Sequence, residues 1–193
     1  MFRTFFISLS LFFIYLPVLA DCDFKTGKYI EELSNPSYLK KIEIIIPKSS
    51  AYNKNILKIY ASKRSSISSN LKKKFRAKLI AHYPFGTCQY KSKVRQHGHQ
   101  KDHIELVSSG KVVRSLDVEL KSGNIMGVVK FKLLLPKTRR GKNEILASLI
   151  LKQLGFISPE TFDVITDVNN VKSKMIFQEK STKELLEKNF KRE

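Results

Sequence analysis

An α+β domain, an antiparallel sheet with one packed helix, is the fold class this sequence predicts. Three observations carry it. Stretches around residues 75–82, 90–96 and 162–168 alternate apolar and polar side chains with a period of two. One apolar run, Ile145 to Leu154, reads instead as a helix. Gly, Pro and Asn punctuate the borders of these stretches.

Ile42 to Ile46 forms a short strand closed by Pro47, and residues 53–71, rich in Ser and Lys, hold one weak helix. Phe75, Ala77, Leu79 and Ala81 alternate with Arg76, Lys78, Ile80 and His82 as a strand. Residues 90–96 alternate again, with Lys91, Lys93 and Arg95 on one side. Ile104 to Val107, a Ser108-Ser109-Gly110 turn and Lys111 to Leu120 read as a hairpin. Met126 to Leu135 is an apolar strand ended by Pro136. Asn143 caps the next helix, Glu144 suits its positive end, and Gly155 stops it. Phe162, Val164, Thr166 and Val168 mark a strand that Asn169-Asn170 turns into another, Val171 to Phe177. Ser181-Thr182-Lys183-Glu184 is a capping box opening a final helix.

With 42% hydrophobic and 27% charged residues in 193, the chain is globular; collagen-like, low-complexity and wholly disordered classes are excluded. Its 36 Lys and Arg against 17 Asp and Glu give +19, which points to a polyanionic partner. The charge is polarised. From Asn53 to Lys101 there are 13 Lys or Arg and no acid. That stretch reads either as a face for phosphate or acidic glycan or as the solvated surface of a Lys-rich chain.

Met1-Phe2-Arg3, the apolar stretch Phe5 to Leu16, Pro17 and then Val18-Leu19-Ala20 make a signal peptide cut before Asp21, with an uncleaved anchor as the alternative. The expected location is outside the cytoplasm, periplasmic or secreted. In that oxidising compartment Cys22 and Cys88 are expected to form a disulfide, the alternative being two separate thiols. The chain divides accordingly into a signal peptide (1–20), a basic N-terminal region (21–74) and the α+β domain (75–193).

Three constellations carry chemistry. Arg95-x-x-Gly98 after a strand offers a guanidinium and backbone N–H groups to phosphate. Pro136-Lys137-Thr138-Arg139-Arg140-Gly141 sits before a helix N-terminus, where anions are favoured by dipole and side chains together. Lys132 on a strand followed by Glu144 on a helix is similar to the lysine–glutamate pair that kinases use on nucleotide phosphates. His97, His99 and His103 offer a third-ranked reading, a metal-dependent hydrolase. Walker A, GxGxxG, GxSxG, HExxH and Cys-x-x-Cys motifs are absent, as is the basic–aromatic interleaving of an RNA-binding sheet, so no specific nucleic-acid partner is predicted.

These residues fall into one order: Val94-Arg95-x-x-Gly98, Asp102-His103, Ser115-Leu116-Asp117-Val118, Phe131-Lys132-Leu133, Pro136 to Arg139, and Asn143-Glu144. Leu154 to Pro159, Phe177 to Lys180 and Lys183 to Glu187 follow. Over residues 88–193 the series resembles the first half of the CotH-like proteins, spore-coat relatives with an atypical protein-kinase fold. The resemblance implies an N-lobe, with Arg95, Lys132 and Arg139 on nucleotide phosphates, Glu144 positioning a lysine, and the Phe177–Lys180 stretch, Glu179 included, as the hinge. ATP and Mg are implied by the resemblance alone. The family's magnesium-binding acids lie in a later lobe that would follow Glu193, so this segment is expected to bind nucleotide weakly and not to transfer phosphate by itself. The alternative expectation is an extracytoplasmic module whose basic face holds an anionic cell-envelope polymer.

Overall fold

The computed structural model describes residues 21–24, 33, 35–107 and 110–191. The signal peptide expected at 1–20 and the turn at Ser108-Ser109 lie outside the described residues. Among the described residues ten strands and three helices follow in order: β1 (Asp21–Phe24), β2 (Lys41–Ile45), α1 (Ser49–Ala61), β3 (Phe75–Tyr83), β4 (Gly86–Gln96), β5 (Ile104–Leu106), β6 (Val112–Arg114), β7 (Leu116–Leu120), β8 (Lys130–Leu134), α2 (Asn143–Gln153), β9 (Thr161–Val168), β10 (Val171–Glu179) and α3 (Lys183–Lys188).

Seven strands run β4-β3-β2-β9-β10-β8-β7, and β7 pairs back onto β4, closing a barrel. All these pairings are antiparallel except β2 with β9. The closed barrel corrects the expected fold: it is neither an open antiparallel sheet nor a kinase N-lobe. Two pairings make the difference. The short strand at Ile42–Ile46 is a full stave, with Ile42 opposite both Ala81 and Thr166. The long strand β4 holds β7 along Ser92–Gln96 and β1 along Gly86–Gln89, on one edge. Closure removes the free edges that an open sheet must protect.

The expected packed helix is also corrected. On α2 only Ser148 is buried, while Leu146, Leu149, Ile150 and Leu151 stand 42–57% exposed. Its Gly155 stop is present, with the Gly155 N–H bonded to the Lys152 carbonyl and Phe156 to Leu151. The helix whose side chains enter the barrel core is α1, through Tyr52 and Ile56, while its Ile59 joins Ile67 and Ile104 in a separate cluster.

Successive side chains of each stave point to opposite faces of the barrel wall. Ile42, Ile44, Leu79, Val94, Leu116, Val118, Phe131, Leu133 and Phe177 fill the interior, each at most 1% exposed. Phe177 stacks between Phe131 and Phe162, with centroids 4.4 and 4.7 Å away. The Asn169-Asn170 turn takes φ of 48° and 65°, the left-handed pair that a two-residue hairpin needs. Cys22 lies directly opposite Cys88 and is bonded to it, pinning β1 to β4. A link across 66 residues stabilises by about 4 kcal/mol on the chain-entropy account.

Candidate anion-binding groove

The outward faces of four staves build one polar row. Arg95 on β4 lies opposite Asp117 on β7, Asp117 opposite Lys132 on β8, and Lys132 opposite Gln178 on β10. Each register position puts the side chain on the outer wall because its neighbours Val94, Val118, Phe131 and Phe177 point inward. Asp117 is the hub. Its carboxylate accepts from Arg95 Nε at 2.9 Å, His97 Nδ1 at 3.0 Å and Lys180 Nζ at 2.8 Å. Burial alone would raise this carboxyl, but the hydrogen bonds and charges of His97 and Lys180 outweigh it and hold it well below the usual carboxylate range.

The chain after β4 folds back over the row. Gly98 has φ +88°, and a Cβ there would meet His103 Cδ2 at 1.9 Å, so only glycine lets the loop pass the imidazole. The loop, the row and the turn before α2 enclose a groove of about 650 Å³. Lys72, Arg95, Lys132, Arg139 and Lys180 line it against two carboxylates, Asp102 and Asp117. Lys132 registers this imbalance: burial and the charges of Arg139 and Lys180 lower its pKa, against the opposing pull of Asp117 and Glu144. Arg95 uses only Nε on Asp117 among the described residues, so its two Nη groups remain as donors. Buried Arg139 Nε has no hydrogen bond; Glu144 Oε2 is 3.6 Å away.

Three sequence candidates, Arg95, Lys132 and Arg139, therefore meet in one groove. Glu144 stands just behind it: Lys132 Nζ donates to Gln178 Oε1 at 3.2 Å, and the Gln178 amide donates on to Glu144. Lysine and glutamate are thus linked through an amide, not paired. Glu179 is not in the groove. One residue past Gln178, it points to the opposite face, 3% exposed, accepts from the Glu160 N–H at 3.1 Å and lies 3.6 Å from Lys188. Burial raises its pKa. Asp117, Lys180 and Lys72 were not among the candidates. Lys180 has a sequence signal, as the cation that follows Gln178-Glu179; Asp117 has none, since its pairing with Arg95 is not local.

The histidines do not converge on a metal. His97 is bound to Asp117, His99 Nδ1 lies 3.2 Å from Lys72 Nζ, and His103 is packed edge-on against His97 at 5.1 Å. Among the described residues no three His, Cys, Asp or Glu side chains surround a common point. Both oxygens of Asp117 already face cations, so this donor set does not fit a magnesium ion either. No protein-family model matches this sequence, and no curated protein shows significant similarity to it. The resemblance to CotH-like proteins therefore rests on the motif series alone.

Proposed function

We propose that this chain is an exported binding module that holds a phosphate-bearing cell-envelope polymer on the outer wall of its barrel. The observation that carries the reading is the groove: five cations gathered round two carboxylates, with the guanidinium donors of Arg95 left over. Strand pairing extends the same charge beyond the groove. On β3 and β4, Arg76 lies opposite Lys93 and Lys78 opposite Lys91. Like charges directly across a strand pair repel, and an anion lying along them removes that cost. A repeating phosphate matches a charged wall better than a single nucleotide does. The N-terminal apolar stretch and the Cys22–Cys88 bridge support export. No helix among the described residues is long and apolar enough to cross a membrane. The nucleotide reading is not carried further, because it depends on a lobe architecture that the closed barrel replaces.

The test is titration of the purified chain with poly(glycerol phosphate), with neutral dextran as control, at several salt concentrations. Binding should fall steeply, by about a hundredfold or more between 50 and 200 mM salt if six phosphates are engaged. The double variant Arg95→Ala/Arg139→Ala should lose about tenfold at fixed salt. Salt-independent binding, or a double variant that binds as the parent does, would sink the proposal.

A further inference from the structure

A second cavity, about 820 Å³, lies at the end of the barrel where β2 leaves for α1, and it shares no lining residue with the groove. Its wall is built from Ile44 of β2, Ile46 just after that strand, Val168 of β9 and Met175 of β10, and closed by Ile56 of α1. Into this apolar setting β6 brings Arg114, a full cation only 2% exposed. Nε donates to the Tyr52 hydroxyl at 3.0 Å, and the guanidinium carbon lies 3.9 Å from the Tyr52 ring centroid. Nη1 and Nη2 are both buried and have no hydrogen-bond partner among the described residues. Among the described residues no carboxylate lies within ion-pairing distance of it.

A lysine so placed would shed its proton; an arginine cannot, so its charge persists with two donors unanswered. Such a group is costly to bury unless something completes it. Tyr52 satisfies one of three donor directions, and its ring faces the cation with π density, but neither answers the fork of Nη1 and Nη2. That fork matches a carboxylate bidentately. The apolar residues around it match a hydrocarbon body, and the volume is that of a small-molecule site. Glu43 and Asp167 line the cavity too, and Asp167 Oδ1 is buried without a partner. Lys111 lines it as well, and Glu43 is already paired with Lys41, so the cavity's charges are near balance and favour a singly charged anion over a multiply charged one such as phosphate.

We infer that this cavity binds a monocarboxylate with an apolar chain, of the medium-chain fatty acid class, its carboxylate on Arg114 and its chain among Ile44, Ile46, Ile56 and Met175. The inference is independent of the polymer proposal, since it uses no residue of the groove.

The test is calorimetric titration of the full chain with decanoate, methyl decanoate and inorganic phosphate. One decanoate per chain should bind, the ester about tenfold or more weaker, and phosphate not at all at this site. Arg114→Met, which keeps side-chain length and removes the charge, should equalise acid and ester. It should also raise the melting temperature of the empty protein, because an uncompensated buried charge has gone. Absence of decanoate binding to the parent, or equal affinity of the parent for acid and ester, overturns the inference. That comparison needs no variant, so it decides even if Arg114→Met does not fold. A variant that folds and still prefers the acid as strongly as the parent overturns it equally.

Discussion

The two faces of the same staves follow opposite rules. Inside, Phe131, Leu133 and Phe177 are fully buried, the two rings stack, and none of the three carries a charge. Outside, one residue further along each strand, Lys132 and Gln178 join Arg95 and Asp117 in a row whose cations exceed its acids. Stability resides in the first face. The second carries like-charge repulsion that the proposed polymer would relieve. Substitutions on the two faces should therefore separate stability from binding.

The largest effect lies inside. Phe177→Ala removes the ring held between Phe131 and Phe162 and opens a cavity in the interior. It should cost about 3–5 kcal/mol in a urea titration, enough to unfold a marginal barrel. In whatever fraction remains folded, polymer affinity should be unchanged, because Phe177 faces away from the groove. A folded variant with weakened polymer binding would break the division between faces.

Asp117→Asn tests the hub of the outer row, a position on that face whose ion pairs also carry stability. Its carboxylate is nearly buried and holds Arg95, His97 and Lys180. Neutralising it leaves Arg95 and Lys180 facing each other without a counter-charge and should cost about 3 kcal/mol at neutral pH. Because folding depresses this carboxyl below its ordinary 3.8, its stabilisation is complete above about pH 4 and fades as pH falls through the folded value. The stability gap between parent and variant should hold from pH 7 to about 5 and close in stronger acid. Polymer binding should move the other way and tighten, since Arg95 and Lys180 are released to the ligand. A gap that persists in acid would mean Asp117 acts by packing and not by charge.

This pattern also explains what could be read from the sequence. Period two in Ala77, Leu79 and Ala81, and in Val164, Thr166 and Val168, marks strands and their buried faces correctly because each alternation is local. Closure is not local. Whether β4 ends the sheet or also takes β7 depends on a pairing between Arg95 and Asp117 that no window of sequence contains. The short stave Lys41–Ile45 looks peripheral until it is placed beside β9, and its apolar pattern is the same in either setting. Helix α2 misleads for the opposite reason: Ile145 to Leu154 is apolar enough to predict burial, yet its leucines remain exposed. Arg95 and Arg139 carry a local signal, a cation at the end of a strand and one before a helix, whereas Lys132 stands out only through its likeness to a kinase lysine–glutamate pair and sits mid-strand. Glu179 was displaced by a single position. In Met175-Ile176-Phe177-Gln178-Glu179 all five side chains are buried, so alternation gives no sign of which face each takes. Arg114 had a signal, a charge ending the apolar pair Val112-Val113, but nothing in the order of residues foretold that Tyr52 of α1 would cover it.

The smallest expected effect is the sharpest test of the outer face. Lys78 and Lys91 are exposed and directly opposite one another, so their repulsion is a property of the pair and not of burial. Lys78→Glu replaces it with attraction and should stabilise the barrel by about 0.5 kcal/mol, within reach of careful denaturant titration. If the outer wall is shaped for a polyanion, the same substitution should weaken poly(glycerol phosphate) binding and flatten its salt dependence by about one phosphate contact. Stability and affinity then move in opposite directions through one residue that touches no core atom. A gain in stability with unchanged affinity and salt slope would confine the ligand to the groove around Arg95 and leave the β3–β4 wall as ordinary solvated surface. A loss in both would show that Lys78 is held by contacts other than its cross-strand neighbour, and the repulsion argument for this wall would fall with it.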